Sequence, residues 1–487
     1  MTGPGGAGLP PGDLTIANVE VDGCPGSTVR IEAGRIVQVD RGGTGGGPRA
    51  PRRGEEMVEG HGGAVLAGLR DHHLHLWSMA ARRSSVPCGP PEVTTTAGLR
   101  NALRAGARGA LPGGWVRGYG YDESVAGPLT AAALDVLLGP DSDRPVRVQH
   151  RSGHAWVLNG RALRELGIDR LGHPGVERSP DGSPTGVLFD LDAFVRDGSD
   201  APEASALGPV GETLAGYGVT GVTDASPGNG PAELELVEAA RRGGHLAQRV
   251  LLLGGSDLPA RHSGPVRTGQ VKVMLIERDL PPYDELVATI RGAGARGVAV
   301  HCVTRETVVL AASALAAAGG GPHRLEHASV APPEVVDLVR ACGATVVTQP
   351  GFAEASGDRY LREVEPRDVP WLYRLRAWVR AGVPLAAGSD APFGPADPWV
   401  GIRAAVHRRT AGGRPLGPDE RLSPEEALGL YQATLTDPGG LPQRVVPGAP
   451  ADLCLLGAPW HQARHELDSA LVRATVTEGR VIWRHPG

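Results

Sequence analysis

Residues 13–40 alternate apolar and polar positions. Leu14-Thr-Ile-Ala-Asn-Val-Glu-Val, a Gly/Pro turn and Thr28-Val-Arg-Ile-Glu-Ala-Gly-Arg-Ile-Val-Gln-Val follow the two-residue period of a strand with one buried face. This predicts two or three short antiparallel strands. The C-terminal end has the same texture, in Asp452-Leu-Cys-Leu-Leu and Leu471-Val-Arg-Ala-Thr-Val-Thr-Glu-Gly-Arg-Val-Ile-Trp. Neither end has enough strands to bury a face alone. Together they predict one small β-sandwich. The Gly/Arg/Pro-rich residues 41–54 predict a mobile loop.

Between the ends, short apolar runs alternate with longer stretches of helical period. The predicted strands are Ala64–Leu69, Pro145–Val148, Val219–Thr223, Val271–Leu275, Val298–Val300, Arg324–Glu326, Thr345–Thr348 and Pro384–Ala387. The predicted helices are Thr94–Ala107, Ala232–Gly243, Tyr283–Gly294, Glu306–Ala318, Pro333–Cys342, Pro370–Ala381 and Ser423–Gln432. From Lys272 onward each strand–helix step takes roughly 20–40 residues, which suits a parallel barrel with outer helices. Residues 88–210 are too long and irregular for one or two such steps, and predict an insertion near the barrel mouth. The expected division is a composite sandwich from 1–66 and 441–487 and a barrel from 67–440.

Composition narrows the class. The chain has 487 residues, 41% hydrophobic and 21% charged, as ordinary globular proteins are. Its 72 glycines and 43 prolines punctuate the apolar runs, which points to a loop-rich fold, not a disordered one. The net charge of −5 offers no basic surplus for nucleic acid or anionic membranes. The start, Met1-Thr-Gly-Pro-Gly-Gly, shows no signal-peptide pattern, and the most apolar stretch, Val308 to Ala318, is too short to span a bilayer. Five scattered cysteines fit neither a disulfide framework nor a CxxC zinc site, so a reduced, cytoplasmic protein is expected.

The histidines carry the chemistry. In Asp71-His72-His73-Leu74-His75, His73 and His75 are two apart and face one side on extended backbone. His301 follows Gly297-Val-Ala-Val, His327 follows Arg324-Leu-Glu, and Asp390 follows Leu385-Ala-Ala-Gly-Ser. Each falls at the C-terminal end of a different predicted strand, the face where barrel chemistry sits. Lys272, in Gln270-Val-Lys-Val-Met, joins them, and it is the only lysine beside 48 arginines. A lysine kept where arginine serves everywhere else has a task that a guanidinium cannot do. A neutral, desolvated amine adds carbon dioxide and becomes an anionic carbamate able to bridge two metals. Two divalent ions sharing a hydroxide would supply a nucleophile near neutral pH. Asp390 would take its proton and pass it to the leaving nitrogen.

These motifs resemble the amidohydrolase superfamily, and within it the family-3 branch of N-substituted formamide deformylase-like enzymes. Ala67-Gly-Leu-Arg-Asp-His-His-Leu-His-Leu is similar to the family's P-G-F-x-D-x-H-x-H-L. Gly118-Tyr-Gly-Tyr-Asp-Glu-Ser, Ser152-Gly-His-Ala-Trp-Val-Leu-Asn, His323-Arg-Leu-Glu-His, Gln349-Pro, Gly388-Ser-Asp-Ala-Pro and Gly448-Ala-Pro-Ala-Asp-Leu resemble further blocks. The resemblance implies an α/β fold, a distorted (β/α)8 TIM-like barrel with a small β-sandwich formed by both termini. It implies that His73 and His75 bind a first metal, that carbamylated Lys272 bridges, and that His301 and His327 bind a second. Asp390 would touch the first metal and act as general base, then acid. His154 would orient substrate or stabilise an oxyanion. One or two divalent ions, zinc foremost, are the implied cofactors. The chain departs from the pattern at Ala67, after Lys272 and after Gln349-Pro, which should reshape the pocket.

Tyr121, Asp122, Trp156, Phe352, Phe393 and Trp399 lie in or near loops expected to crowd the mouth, which suggests a partly aromatic substrate pocket. Asp224 ends a strand-like run and suits a supporting hydrogen-bond acceptor. No Walker, Rossmann or G-x-S-x-G context is present. The leading expectation is a hydrolase that cleaves a non-peptide C–N bond of a small molecule, amide or formamide in type. The same metals would serve a deaminase, decarboxylase or isomerase. A non-catalytic scaffold would have eroded ligands, and all six positions here carry competent side chains. Neither nucleic acid nor membrane is an expected partner, and a homodimer is left open.

Overall fold

A computed structural model describes residues 13–42, 56–111, 113–191, 194–195 and 203–486. Most of the predicted loop at 41–54 lies outside the described residues. The chain forms two compact units: Met1–Leu76 with Ala204–Gly487, and Trp77–Glu203.

The first unit is built on eight parallel strands: β1 (Leu69–Leu74), β2 (Val219–Asp224), β3 (Arg249–Gly254), β4 (Val266–Met274), β5 (Val298–Cys302), β6 (Arg324–His327), β7 (Thr345–Thr348) and β8 (Leu385–Ala387). They pair in chain order from β1 to β8. All six residues of β1 and of β2 are buried. That burial on both faces is typical of a parallel sheet covered by helices, yet it takes in the polar side chains Arg70, Asp71, His72 and His73 of β1 and Thr220, Thr223 and Asp224 of β2. The strand residues Val298, Val300, Leu325 and Val346 pack with Ala311, Leu315, Val335, Val339 and Trp378 of the connecting helices in one core.

β8 and β1 close the barrel without a regular ladder. Ser389 N donates to Asp71 Oδ1 (3.0 Å), Asp390 N to the His73 carbonyl (2.7 Å), and His75 N to the Ala391 carbonyl (2.8 Å). Gly388 permits this approach, since a Cβ there would lie 2.5 Å from His73 N. The result is the distorted eight-stranded α/β barrel that the sequence predicted.

Both termini add four-stranded sheets. One orders 35–40, 24–32, 14–21 and 56–59, and the other orders 480–484, 472–477, 453–456 and 65–67. Leu14, Ile16, Val29 and Ile31 of the first share a core with Leu453, Leu455 and Val476 of the second. Three hairpins turn on two residues, Asp22-Gly23, Ala33-Gly34 and Glu478-Gly479, all with positive φ. This is the backbone that matches strand twist in a tight hairpin.

Some predicted elements are corrected. The run Ala64–Leu69 is two strands, Val65–Ala67 in a terminal sheet and β1 in the barrel. The break falls at Gly68, where a Cβ would meet Thr220 at 2.3 Å. Pro145–Val148 is not a barrel strand. Val146–His150 belongs to the second unit, and β3, with its Val-Leu-Leu-Leu run, holds the third barrel place. A short apolar run does not reveal which sheet it joins. The helices predicted at 370–381 and 423–432 shorten to Arg376–Ala381 and Pro424–Gly429.

The helix Pro424–Gly429 begins with a capping box between Ser423 and Glu426. Arg376 grips both Glu426 oxygens at 2.8 Å. That grip, with the Ser423 hydrogen bonds, holds the Glu426 carboxyl down at about 2. A depressed carboxyl stabilises the fold above its ordinary value of 4.5 and loses that contribution as pH falls through about 2. The pair is partly exposed, so solvent screening keeps it to under about 1 kcal/mol. Glu426→Gln is therefore expected to lower the urea midpoint at pH 7. The gap to the native protein should narrow as pH drops from 4.5 toward 2. A gap independent of pH would show that the charge is not responsible.

The second unit carries a six-stranded sheet ordered 176–178, 184–189, 155–158, 146–150, 116–121 and 86–87. Leu99, Leu103, Val116, Leu134 and Val148 form its core.

Candidate metal centre

His73 is the last residue but one of β1 and is 1% exposed. Its Nδ1 donates to Glu326 Oε2 at 2.5 Å, which leaves the Nε2 lone pair free. Burial first, then the charge of Lys272, lowers the His73 pKa to about 3, so the ring is neutral. Nε2 faces Asp390 Oδ1 at 3.5 Å. Burial alone would raise the Asp390 pKa. The His75 hydrogen bond leads the effects that outweigh it and hold the carboxyl ionised. Two electron-rich atoms thus point at one another, an arrangement that a cation between them relieves.

His75 completes the group. Its Nδ1 meets Ser226 Oγ at 2.9 Å and its Nε2 meets Asp390 Oδ1 at 3.1 Å. One ligand atom from each of His73, His75 and Asp390 lies within 4.8 Å of the others. His327 Nδ1 is 2.8 Å from Gln349 Oε1, which fixes that ring with Nε2 unprotonated. Its centroid is 4.8 Å from His73 and 4.6 Å from His301. Five of the six predicted ligands are therefore contiguous.

Lys272, on β4, is the sixth. Its Nζ is buried and makes no hydrogen bond among the described residues. Burial lowers its pKa, with the Arg324 charge adding to the effect while Glu326 and Asp390 oppose it. The charge that lowers His73 and His327 is the Lys272 charge, so the amine sits within electrostatic reach of both rings. An orphaned, desolvated amine beside neutral imidazoles and a carboxylate suits conversion to an anionic metal ligand. The N/O donor set suits zinc or a similar divalent ion.

Local backbone strain marks the same place. His327, Ala328 and Asp390 have φ of 73°, 45° and 55°. The left-handed region costs a non-glycine residue about 1–2 kcal/mol. It is imposed by fixed hydrogen bonds, from Ala328 N to Cys302 O and from Asp390 N to His73 O.

Supporting residues escaped the sequence reading. Glu326 is fully buried, bonded to His73 and to Arg324 Nε at 2.7 Å, and held well below the usual carboxylate range. Burial opposes that shift, and Arg324 and His73 outweigh it. Only its alternation with Arg324, two residues earlier, hinted that it shares the arginine's side of the strand. Asp224, suspected as an acceptor, takes hydrogen bonds from Ser226 N, Asn229 Nδ2 and Leu76 N. It thereby sets the loop whose Ser226 hydroxyl meets His75. Asp71 Oδ1 accepts from His73 N and Ser389 N.

The predicted pocket residues separate. Phe393 is 36% exposed and meets His75 edge-on at 5.7 Å. Phe352 packs on Tyr373 at 5.7 Å, and a Cβ on Gly394 would touch its ring at 3.2 Å. Phe393 thus borders a proposed ligand, whereas Phe352 packs with Tyr373 and beside Gly394. Tyr121, Asp122, Trp156 and His154 lie in the second unit. Tyr121 is 1% exposed there, its hydroxyl donating to Gly127 O at 2.5 Å, so it is core and offers no open face. Asp122 caps the turn at Glu123–Ala126 and pairs with Arg151 at 2.5 Å. Trp156 lies under the Arg147 guanidinium at 5.3 Å. His154 Nδ1 is 3.2 Å from Asp190 Oδ1. Trp399 is fully buried in helix Pro398–His407, its indole N–H on Tyr217 O, so it too is core and no pocket wall.

A parallel barrel with histidines and an aspartate converging at its C-terminal end is the arrangement of a metal-dependent barrel enzyme. The amidohydrolase family model matches residues 56–483, and the chain belongs to that family, whose members hydrolyse C–N bonds. It is 26% identical to the N-substituted formamide deformylase of Arthrobacter pascens, over 98% of this chain and 99% of that protein. Its fold matches the crystal structure of a metal-dependent hydrolase from Pyrococcus horikoshii OT3, with TM-score 0.71, 19% identity, and 97% and 100% of the two chains covered. A second such hydrolase, from Pyrococcus furiosus, matches with TM-score 0.67, 23% identity, and 90% and 97% covered.

Proposed function

We propose that this enzyme hydrolyses an amide or formamide bond of a small molecule at a two-metal site. His73, His75 and Asp390 would hold one ion and His301 and His327 the other, with a carbamate on Lys272 between them. The observation that carries this reading is the convergence of His73, His75 and Asp390, with the unpartnered Lys272 amine in electrostatic reach. The formamide deformylase relative supports a formyl or small acyl group.

Divalent ions held there supply Lewis-acid polarisation and lower the pKa of water from about 15.7 to about 7. Asp390, kept ionised, would take the proton of the attacking water. The water oxygen bonds to the acyl carbon, the C–N bond breaks, and Asp390 returns the proton to the departing nitrogen. Phe393, edge-on to His75, would line one side. His154, oriented by Asp190, would donate to the developing oxyanion.

In the same reading, 1–66 and 441–487 form a terminal sandwich domain and 67–440 the catalytic domain with its insertion. All five cysteines are free, which supports a reducing cytoplasm. No helix of the described residues is long and apolar enough to cross a membrane.

The test combines metal analysis with a screen of N-formyl and N-acyl amines for amine release. About two equivalents of zinc or a similar ion, and release abolished by chelation and restored by metal, are expected. A folded protein that binds no divalent ion, or whose turnover survives chelation, would refute the reading.

A further inference from the structure

A cavity of about 320 Å³ lies at the opposite ends of the barrel strands from the metal ligands. Arg70, near the start of β1, and Arg249, at the start of β3, line it together with Arg35, Arg267, Asp452 and Glu478. The charges do not balance. Arg249 takes Asp452 at 2.8 Å and Glu478 at 3.2 Å, and Glu478 is shared with Arg241 at 3.2 Å. Arg70 Nη2 stands 3.8 Å from Asp452, beyond hydrogen-bond reach. Arg35 and Arg267 meet no carboxylate among the described residues.

Each of these three arginines is instead fixed by a backbone carbonyl. Arg70 Nη1 donates to Gly68 O and Gln432 O (3.1 and 3.2 Å), Arg35 Nη1 to Gly448 O (2.9 Å), and Arg267 Nε to Gly264 O (3.3 Å). Those bonds orient the guanidinium groups and leave further N–H groups unused. Arg70 is only 5% exposed, so its cation is desolvated without a hydrogen-bonded counter-charge. Pro265 and Leu435, both partly exposed, give the cavity an apolar wall.

We propose that this cavity binds a small organic anion, its carboxylate or phosphate oxygens held by Arg35, Arg70 and Arg267 and its apolar body resting on Pro265 and Leu435. Oriented guanidinium groups in a partly enclosed site are the usual recognition chemistry for such oxyanions. The ligand would tie the hairpin turn bearing Arg35 to the barrel, and so stabilise the fold on binding. This site is independent of the metal reading.

The test titrates the native, metal-loaded protein with phenyl phosphate and with benzoate at matched ionic strength, by calorimetry and thermal unfolding. Saturable binding at one site per chain, with a raised melting temperature, is expected for at least one probe. The tighter probe identifies the head group. Arg35→Gln with Arg267→Gln, checked for native circular dichroism and metal content, should weaken binding about tenfold or more, as loss of charged hydrogen bonds does. Unsaturable shifts, equal binding by the double variant, or binding abolished by chelation would overturn the proposal. Should the variant not fold, native crystals soaked with phenyl phosphate and, separately, with benzoate decide it. Density between Arg35 and Arg267 supports the site and its absence refutes it.

Discussion

Lys272→Ala is expected to strip the protein of metal while leaving it folded. The Nζ it removes is buried and makes no hydrogen bond among the described residues, so the variant relieves a desolvation penalty of about 1–3 kcal/mol. The vacated volume costs a comparable amount. The two terms oppose, and the metal-free variant should unfold within about 2 kcal/mol of the metal-free native protein. Function should not be spared. If the carbamate is the shared anionic ligand, metal content falls from about two equivalents. Amine release then drops by about a thousandfold or more, the scale of several kcal/mol of lost Lewis-acid stabilisation. Elemental analysis and a kinetic assay read these separately. A second check reloads the chelated native protein with metal in buffer freed of carbon dioxide, where recovery should fail until bicarbonate is added. Full metal content in Lys272→Ala would sink the carbamate assignment, whatever the assay showed.

Glu326→Ala is the converse case, in which the fold itself should suffer. Glu326 takes hydrogen bonds from His73 Nδ1 and from Arg324 Nε and Nη2. Arg324 is 1% exposed, and its Nη1 already lacks a partner. Without the carboxylate its cation keeps one hydrogen bond, from Nη2 to His72 O at 2.7 Å. An uncompensated buried charge costs about 3–5 kcal/mol, measurable as a lower denaturant midpoint. His73 also loses the acceptor that fixes its tautomer, and metal affinity should fall about 10–100-fold. Glu326→Gln, which keeps the shape and one acceptor, should lie between the variant and the native protein. Replacing Arg324 and Glu326 together with apolar residues should recover most of the stability but not the metal affinity. A midpoint unchanged in Glu326→Ala would show that Arg324 finds another partner and that the network is not what holds this end of the barrel.

Much of the architecture follows from local pattern. The two-residue period at both ends, the hairpin dipeptides and the ligand residues at strand ends depend on neighbours a few positions away, and a sequence displays those directly. The solitary lysine among arginines was legible for the same reason: residue choice at one position records what its surroundings demand. That His73, His75, Lys272, His301, His327 and Asp390 lie on or just after barrel strands could thus be read from the chain, while the metal chemistry they would carry belongs to the proposed function.

What the chain order could not show is who faces whom across the barrel. His73 meets Glu326 across 253 residues, and Asp390 meets His75 across 315. Those pairings exist only because eight strands close and Gly388 lets the last loop lie against the first strand. Burial likewise divided residues that look alike in sequence, leaving Phe393 beside His75 while sealing Trp399 and Tyr121 into cores. Side-chain type sets what a residue is able to do, but its protonation, its partner and its exposure are fixed by packing against distant segments, and only the folded chain brings those segments together.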